Sequence, residues 1–119
     1  MYDHIGLRVK DLDTSVRFYT ATLTPLGHVL GSHDKTYAGL GPKDAPALWL
    51  HLSPSAPAGG HIAFSAKTRA AVDNFHAEGL KNGGKDNGPP GVRGDYGPAY
   101  YAAFLIDPDG NNVEAVCFA

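Results

Sequence analysis

The chain has 119 residues, 43% of them hydrophobic and 18% charged, with a formal net charge of −2. That length suits one domain with its own core, and the composition suits a folded chain rather than a disordered one. A charge so close to neutral gives no field for nucleic acid or an anionic membrane surface, so neither is expected as a partner. The single cysteine, Cys117, excludes an internal disulfide and points to a reducing compartment. No apolar run reaches membrane-spanning length, and "MYDHIGLRV" leads straight into a strand without a signal-peptide pattern, so a cytoplasmic location is expected.

In chain order, "HIGLRV" (4–9) predicts a strand in which Ile5, Leu7 and Val9 form a covered face and His4, Gly6 and Arg8 the opposite one. In "KDLDTS", Asp11 or Asp13 can cap a helix over roughly 12–24, with Val16, Tyr19 and Leu23 as its apolar stripe and Gly27 near its end. Short strands are expected at about 28–31, 36–40 and 47–52, and "SPSAPAGG" (53–60) reads as a loop. "HIAFSA" (61–66) is again a strand, with Ile62 and Phe64 covered and His61, Ala63 and Ser65 opposite. Thr68 caps a helix over 68–81 with Val72, Phe75 and Leu80 as its stripe. The stretch "NGGKDNGPPGVRGDYGP" (82–98) is too rich in Gly and Pro for regular structure and too polar at 85–88 for a clear strand. It reads as a long functional loop, a lid over a pocket. Strands at about 100–106 and 112–118 close the chain.

Shifting the chain by 57 residues places His4 on His61, Ile5 on Ile62, Lys10 on Lys67, Phe18 on Phe75, Leu23 on Leu80 and Gly27 on Gly84. Such self-similarity marks a duplicated supersecondary unit. "GPKDAPALWLHL" (41–52) and "IDPDGNNVEAVC" (106–117) correspond with a shift of 65, because the second unit carries the longer loop. The expected architecture is α+β: two βαβββ units, about 1–55 and 58–119, forming a curled, open barrel-like sheet with helices on its outer face, all within one domain over 1–119.

Alternation then aims side chains. On the last strand Val113, Ala115 and Cys117 share one face, Cys117 as a buried small apolar residue; Asn112, Glu114, Val116 and Phe118 share the other. A lone strand histidine usually serves packing or solvation, and so does a lone strand glutamate. Here the repeat sets His4 and His61 at equivalent points, with Glu114 on an equivalent strand. Two imidazoles and one carboxylate facing a cleft form the 2-His-1-carboxylate set that suits a divalent ion with open coordination positions. These ligand types accept Fe, Mn, Ni, Co or Zn.

The paired units, "HIGLRVKDLDTSVRFY", "GGHIAFSA" and "DPDGNNVEAV" together resemble the vicinal oxygen chelate superfamily over nearly the whole chain. That superfamily includes glyoxalase I, extradiol dioxygenases, fosfomycin-resistance enzymes and bleomycin-resistance proteins. The resemblance implies a trough holding one divalent metal ion, with His4, His61 and Glu114 as its ligands. It further implies chelation of two adjacent oxygens of a small substrate and stabilisation of enolate- or alkoxide-like charge, in lyase, isomerase or dioxygenase chemistry. A homodimer is expected, the trough lying within one chain or between two. The alternative is a metal-free protein that sequesters a small, planar molecule. Glyoxalase I itself is disfavoured, because the position of its further metal-binding glutamate is Trp49 here, which can neither ligate nor take a proton.

His51, two residues on, is a fourth ligand if the register slips, a nearby acid/base, or a rim residue, and Tyr101 is a second catalytic candidate. Arg8, Trp49, Arg93, Tyr96 and Tyr100 are candidate substrate-binding residues, with Tyr96 and one of Tyr100 or Tyr101 facing Trp49 across the ligand. At least one of Tyr100 and Tyr101 must be core, since strand neighbours face opposite ways. Tyr19 and His76, at equivalent helix positions, read as packing or surface.

Overall fold

Asp11 and Thr68 decide where the two helices begin. The Asp11 carboxylate accepts the Thr14 N–H at 3.0 Å and the Thr68 hydroxyl accepts the Ala71 N–H at 3.1 Å, each satisfying an otherwise orphaned donor of a first turn. Helix α1 follows over Leu12–Leu23 and α2 over Arg69–Lys81. The computed structural model describes residues 1–55 and 59–118. The junction of the two units at 56–58 lies outside them.

Among the described residues eight strands accompany the helices: β1 (Ile5–Val9), β2 (Val29–His33), β3 (Tyr37–Gly41), β4 (Leu48–Leu52), β5 (His61–Ser65), β6 (Lys85–Val92), β7 (Tyr101–Ile106) and β8 (Asn112–Cys117). They make two four-stranded sheets, ordered β1-β4-β3-β2 and β5-β8-β7-β6. In each, the first strand runs parallel to the last and the remaining pairs are antiparallel, so the βαβββ unit occurs twice, and no closed barrel forms among the described residues. The register confirms the two sequence shifts: Gly6 lies opposite Trp49 as Ala63 lies opposite Glu114.

The long Gly/Pro-rich stretch departs from expectation. Residues 85–92 are not loop but the edge strand β6, paired to β7 through two register jumps, between Asp86 and Gly88 and between Gly88 and Gly91. An edge strand needs donors on one side only, and bulges absorb residues that cannot pair, so Pro89 and Pro90 are tolerated there. The strand is anchored to α2 as well. His76, buried on the helix, bonds the Asp86 carboxylate at 2.8 Å, so this histidine is a packing residue with a partner.

One continuous core joins the units, with Val9, Phe18, Tyr19, Leu40 and Leu50 from the first and Val72, Phe75, Leu105 and Val113 from the second. Leu80, expected on the stripe of α2, is 46% exposed. Gly79 faces inward in its place, because a Cβ there would sit 2.2 Å from the Leu105 side chain.

The units are also fastened by polar groups. Between β7 and β8, "DPDGN" (107–111) folds around the Asp107 carboxylate, which accepts the Asp109 and Asn111 backbone N–H groups at 2.9 and 2.8 Å and the Asn111 side-chain amide at 3.0 Å. Tyr19, fully buried on α1, donates its hydroxyl to the same carboxylate at 2.5 Å. Asp109 then accepts from the Lys10 N–H at 2.9 Å and the Ser15 hydroxyl at 3.2 Å, at the start of α1.

Burial and the Asp107 charge push the Tyr19 phenol well above its ordinary value of 10.0. Above that pH the unfolded chain loses this proton while the folded chain keeps it, so the folded chain binds more protons and stability falls as pH rises. Tyr19→Phe should therefore cost about 1–3 kcal/mol near neutral pH. Denaturant unfolding should also show a shallower loss of stability above pH 10 in the variant than in the wild type.

Candidate functional site

Period-two alternation gives each sheet one face toward the core and one turned away from it. On the away face of the second sheet, His61 and Glu114 come together, with Nε2 3.2 Å from Oε1. Parallel pairing of β5 with β8 sets this: Ala63 is opposite Glu114 and His61 opposite Asn112. Glu114 is 3% exposed, while the His61 side chain is 48% exposed, so the carboxylate is sunk in the sheet and the imidazole forms its open side.

Two neighbours complete the pair. The Tyr100 hydroxyl donates to Oε2 of Glu114, and this hydrogen bond, with burial and the carboxylate charge, pushes the phenol up to about 12. The Nδ1 of His61 is 3.1 Å from the Asn112 backbone carbonyl, which fixes it as the N–H end of the ring. In a neutral imidazole the lone pair on Nε2 then faces a carboxylate oxygen, an arrangement that a shared cation relieves. Two donors about 2.0–2.2 Å from one ion, at neighbouring coordination positions, lie roughly 2.9–3.5 Å apart. The donor chemistry and the 3.2 Å separation both fit one divalent ion for these two ligands.

The other expected residues lie elsewhere. His4 immediately precedes β1, bonds Asp3 at 2.7 Å, and borders an apolar hollow with Leu23, His28, Leu40, Ile62 and Phe64. Among the described residues, no group of three His, Cys, Asp or Glu side chains comes close enough to hold an ion. One chain thus brings together two of the three expected ligands, and His4 is not beside them.

Arg8, Trp49 and His51 share the away face of the first sheet. Arg8 and Tyr37 lie opposite His51, and the His51 ring covers Gly6. Trp49 lies flat on Gly39, where a Cβ would stand 2.7 Å from the indole, and is 6.1 Å from the Tyr37 ring. Tyr96 and Tyr100 lie instead on the connection between β6 and β7 of the second unit, where they pack on each other at 5.2 Å, and neither borders Trp49 among the described ring contacts.

Tyr101 does not reach the Glu114 pair. It lies opposite Cys117 on the covered face and donates to Asp73 of α2 at 2.6 Å, beneath the Arg69 guanidinium. The tyrosine that touches the carboxylate is Tyr100. Two residues outside the expected site set, Phe104 and Asn112, also border the hollow over His61 and Glu114, with Asp95, Tyr96 and Tyr100. Their signal was available in the alternation, since Phe104 lies opposite Glu114 and Asn112 precedes it by two residues.

The family model of the Glyoxalase/Bleomycin resistance protein/Dioxygenase superfamily matches residues 2–115. The chain belongs to this superfamily. A glyoxalase/bleomycin resistance protein from Albidiferax ferrireducens T118 is 32% identical, with a TM-score of 0.85 and 98% of each chain covered. A glyoxalase-related enzyme from Fulvimarina pelagi has a TM-score of 0.75 at 18% identity, covering 98% of this chain and 87% of its own. A family enzyme from Burkholderia phytofirmans PsJN has a TM-score of 0.74 at 15% identity, with 98% of each chain covered; these last two likenesses bear on fold alone. No curated protein matches the chain significantly. Within the superfamily fold, Trp49 occupies the register position in the first unit that Glu114 holds in the second.

The Tyr100–Glu114 contact can be read directly. Replacing Glu114 by alanine removes both the acceptor and the charge, so the Tyr100 phenol should titrate well below about 12 and closer to its ordinary 10.0, as followed by ultraviolet difference absorbance.

Proposed function

We propose that this chain is a divalent-metal-dependent enzyme acting on a small substrate with two adjacent oxygens, and that its site is completed between two copies. The observation that carries the reading is the His61–Glu114 pair: an imidazole oriented through its Nδ1 and a buried carboxylate, 3.2 Å apart and open to a hollow. A divalent ion bound there supplies Lewis acidity toward adjacent substrate oxygens. His61 and Glu114 hold it from one copy, and His4 supplies the third ligand from the other.

Symmetry supports this division. The faces bearing Trp49 and Glu114 are register equivalents, so a two-fold pairing that sets the first face of one copy on the second face of the other builds two identical sites at once. Exposed Tyr96 and Phe118 on the second unit and Leu52 on the first supply apolar contact for such a pairing. In that arrangement the second copy brings His51 and Arg8 to the site mouth, His51 to move a proton and Arg8 to meet negative charge. The Tyr100 hydroxyl holds the Glu114 carboxylate in place. A cytoplasmic location accords with the single buried thiol, Cys117.

Metal titration should reach one ion per chain, weakened on the order of 10–100-fold or more by His61→Ala or His4→Ala. Mixing the two variants and letting subunits exchange should restore one strong site in each mixed dimer, because one of its two sites then keeps both histidines. No recovery on mixing would place the ligands within one chain. Wild-type binding no stronger than that of the double variant, with organic ligands held equally well after chelation, would replace the enzyme by a metal-free binding protein.

Trp49 sets a second expectation. Without a carboxylate at that position, turnover of the methylglyoxal–glutathione hemithioacetal should be negligible, since loss of a placed general base costs on the order of 10²–10⁴-fold. A coupled assay of the metal-loaded protein measures it.

A further inference from the structure

The sequence around Arg93 is built to hold a cation still. Instead of extending into solvent, the Arg93 guanidinium folds back over β6, and glycines make the room. A Cβ on Gly88 would lie 3.2 Å from Nη2 and one on Gly91 3.1 Å from Nη1. Gly88 also adopts φ +148°, which favours glycine, at the register jump that re-aims the strand. Nη2 donates to the Pro89 carbonyl at 2.6 Å, and the guanidinium carbon stands 5.4 Å from the centre of the Phe104 ring. The glycines and prolines of this stretch thus form a seat for one side chain.

That cation is only partly used. Among the described residues no ion pair engages Arg93, and its hydrogen bond to Pro89 takes one of the five N–H donors of a guanidinium. Beside it opens a polar hollow of about 490 Å³, bordered also by Asp95, Tyr96, Phe104 and Asn112. The same four residues border the hollow over His61 and Glu114, so the two hollows adjoin across a shared wall. Asn112 carries an unpartnered buried amide oxygen at this junction, which costs stability unless the amide turns toward a ligand.

We propose that Arg93 is a preset anchor for a carboxylate on the non-reacting arm of the substrate, with the Asn112 amide bonding a neighbouring amide or hydroxyl of the same arm. The substrate is then a small monocarboxylate rather than a phosphate ester, because one guanidinium sharing its hollow with Asp95 cannot neutralise a dianion. The proposal rests on reading the His61–Glu114 face as the substrate site, and it assigns the arm that the metal does not touch.

The test uses N-acetylglycinate, which carries both groups, and N-acetylglycinamide, which keeps the shape without the charge. Each is titrated into chelator-treated protein and followed by NMR, so no metal is needed. The acid should bind roughly tenfold more tightly than the amide. Arg93→Met should abolish that preference with the rest of the amide spectrum unchanged, and Asn112→Leu should weaken both ligands several-fold. Should Arg93→Met fail to fold, Arg93→Lys decides: it keeps the charge and loses the two-pronged fork, so the preference should shrink several-fold. Equal binding of acid and amide to the wild type, or a preference undiminished in the Arg93 variants, overturns the proposal. The preference should also survive His61→Ala. A preference without any metal binding upholds the anchor and rejects the metal reading, whereas metal binding without a preference does the reverse.

Discussion

The Asp107 carboxylate is the constraint around which the two units are organised. It is a buried charge, which would be costly alone, and it is satisfied by donors from its own turn and from Tyr19 on the helix of the other unit. One short sequence, "DPDGN", therefore shapes the β7–β8 turn and locks it to the start of α1. Because β8 leaves that turn directly, the same bonds fix where Glu114 emerges from the sheet. The site thus inherits the placement of Glu114 from a joint between the units.

The His61–Glu114 pair shows how a parallel strand pairing becomes chemistry. His61 starts an edge strand and stays half open, while Glu114 lies on an inner strand and is enclosed. Tyr100 and the Asn112 carbonyl then hold one outer atom of each group. Both groups are oriented through atoms that do not face each other, which leaves Nε2 and Oε1 facing one another 3.2 Å apart.

Much of this was legible in the sequence. Helix starts were marked by Asp11 and Thr68, strand faces by alternation, and the duplication by the paired "HI" strands. The position of Trp49 followed from the 65-residue shift, which the strand register bears out. What the sequence hid was set by tertiary context. Gly and Pro in 85–92 spell a loop by local preference, yet an edge strand with two bulges accommodates them. Tyr100 and Tyr101 carry the same chemistry, and only the register with Cys117 assigns Tyr101 to the covered face. Whether two equivalent faces share a cleft depends on how the sheets are mounted on the common core, which no local pattern encodes. Within one chain His4 is therefore absent from the hollow that His61 and Glu114 border.

The indole of Trp49 rests on bare backbone at Gly39, inside the volume that any larger residue would occupy. Positions 39 and 49 are consequently tied by volume. A glutamate at 49 alone would leave a void over the glycine, and a side chain at 39 alone would collide with the indole. Neither position can change size without strain or a cavity unless the other changes with it.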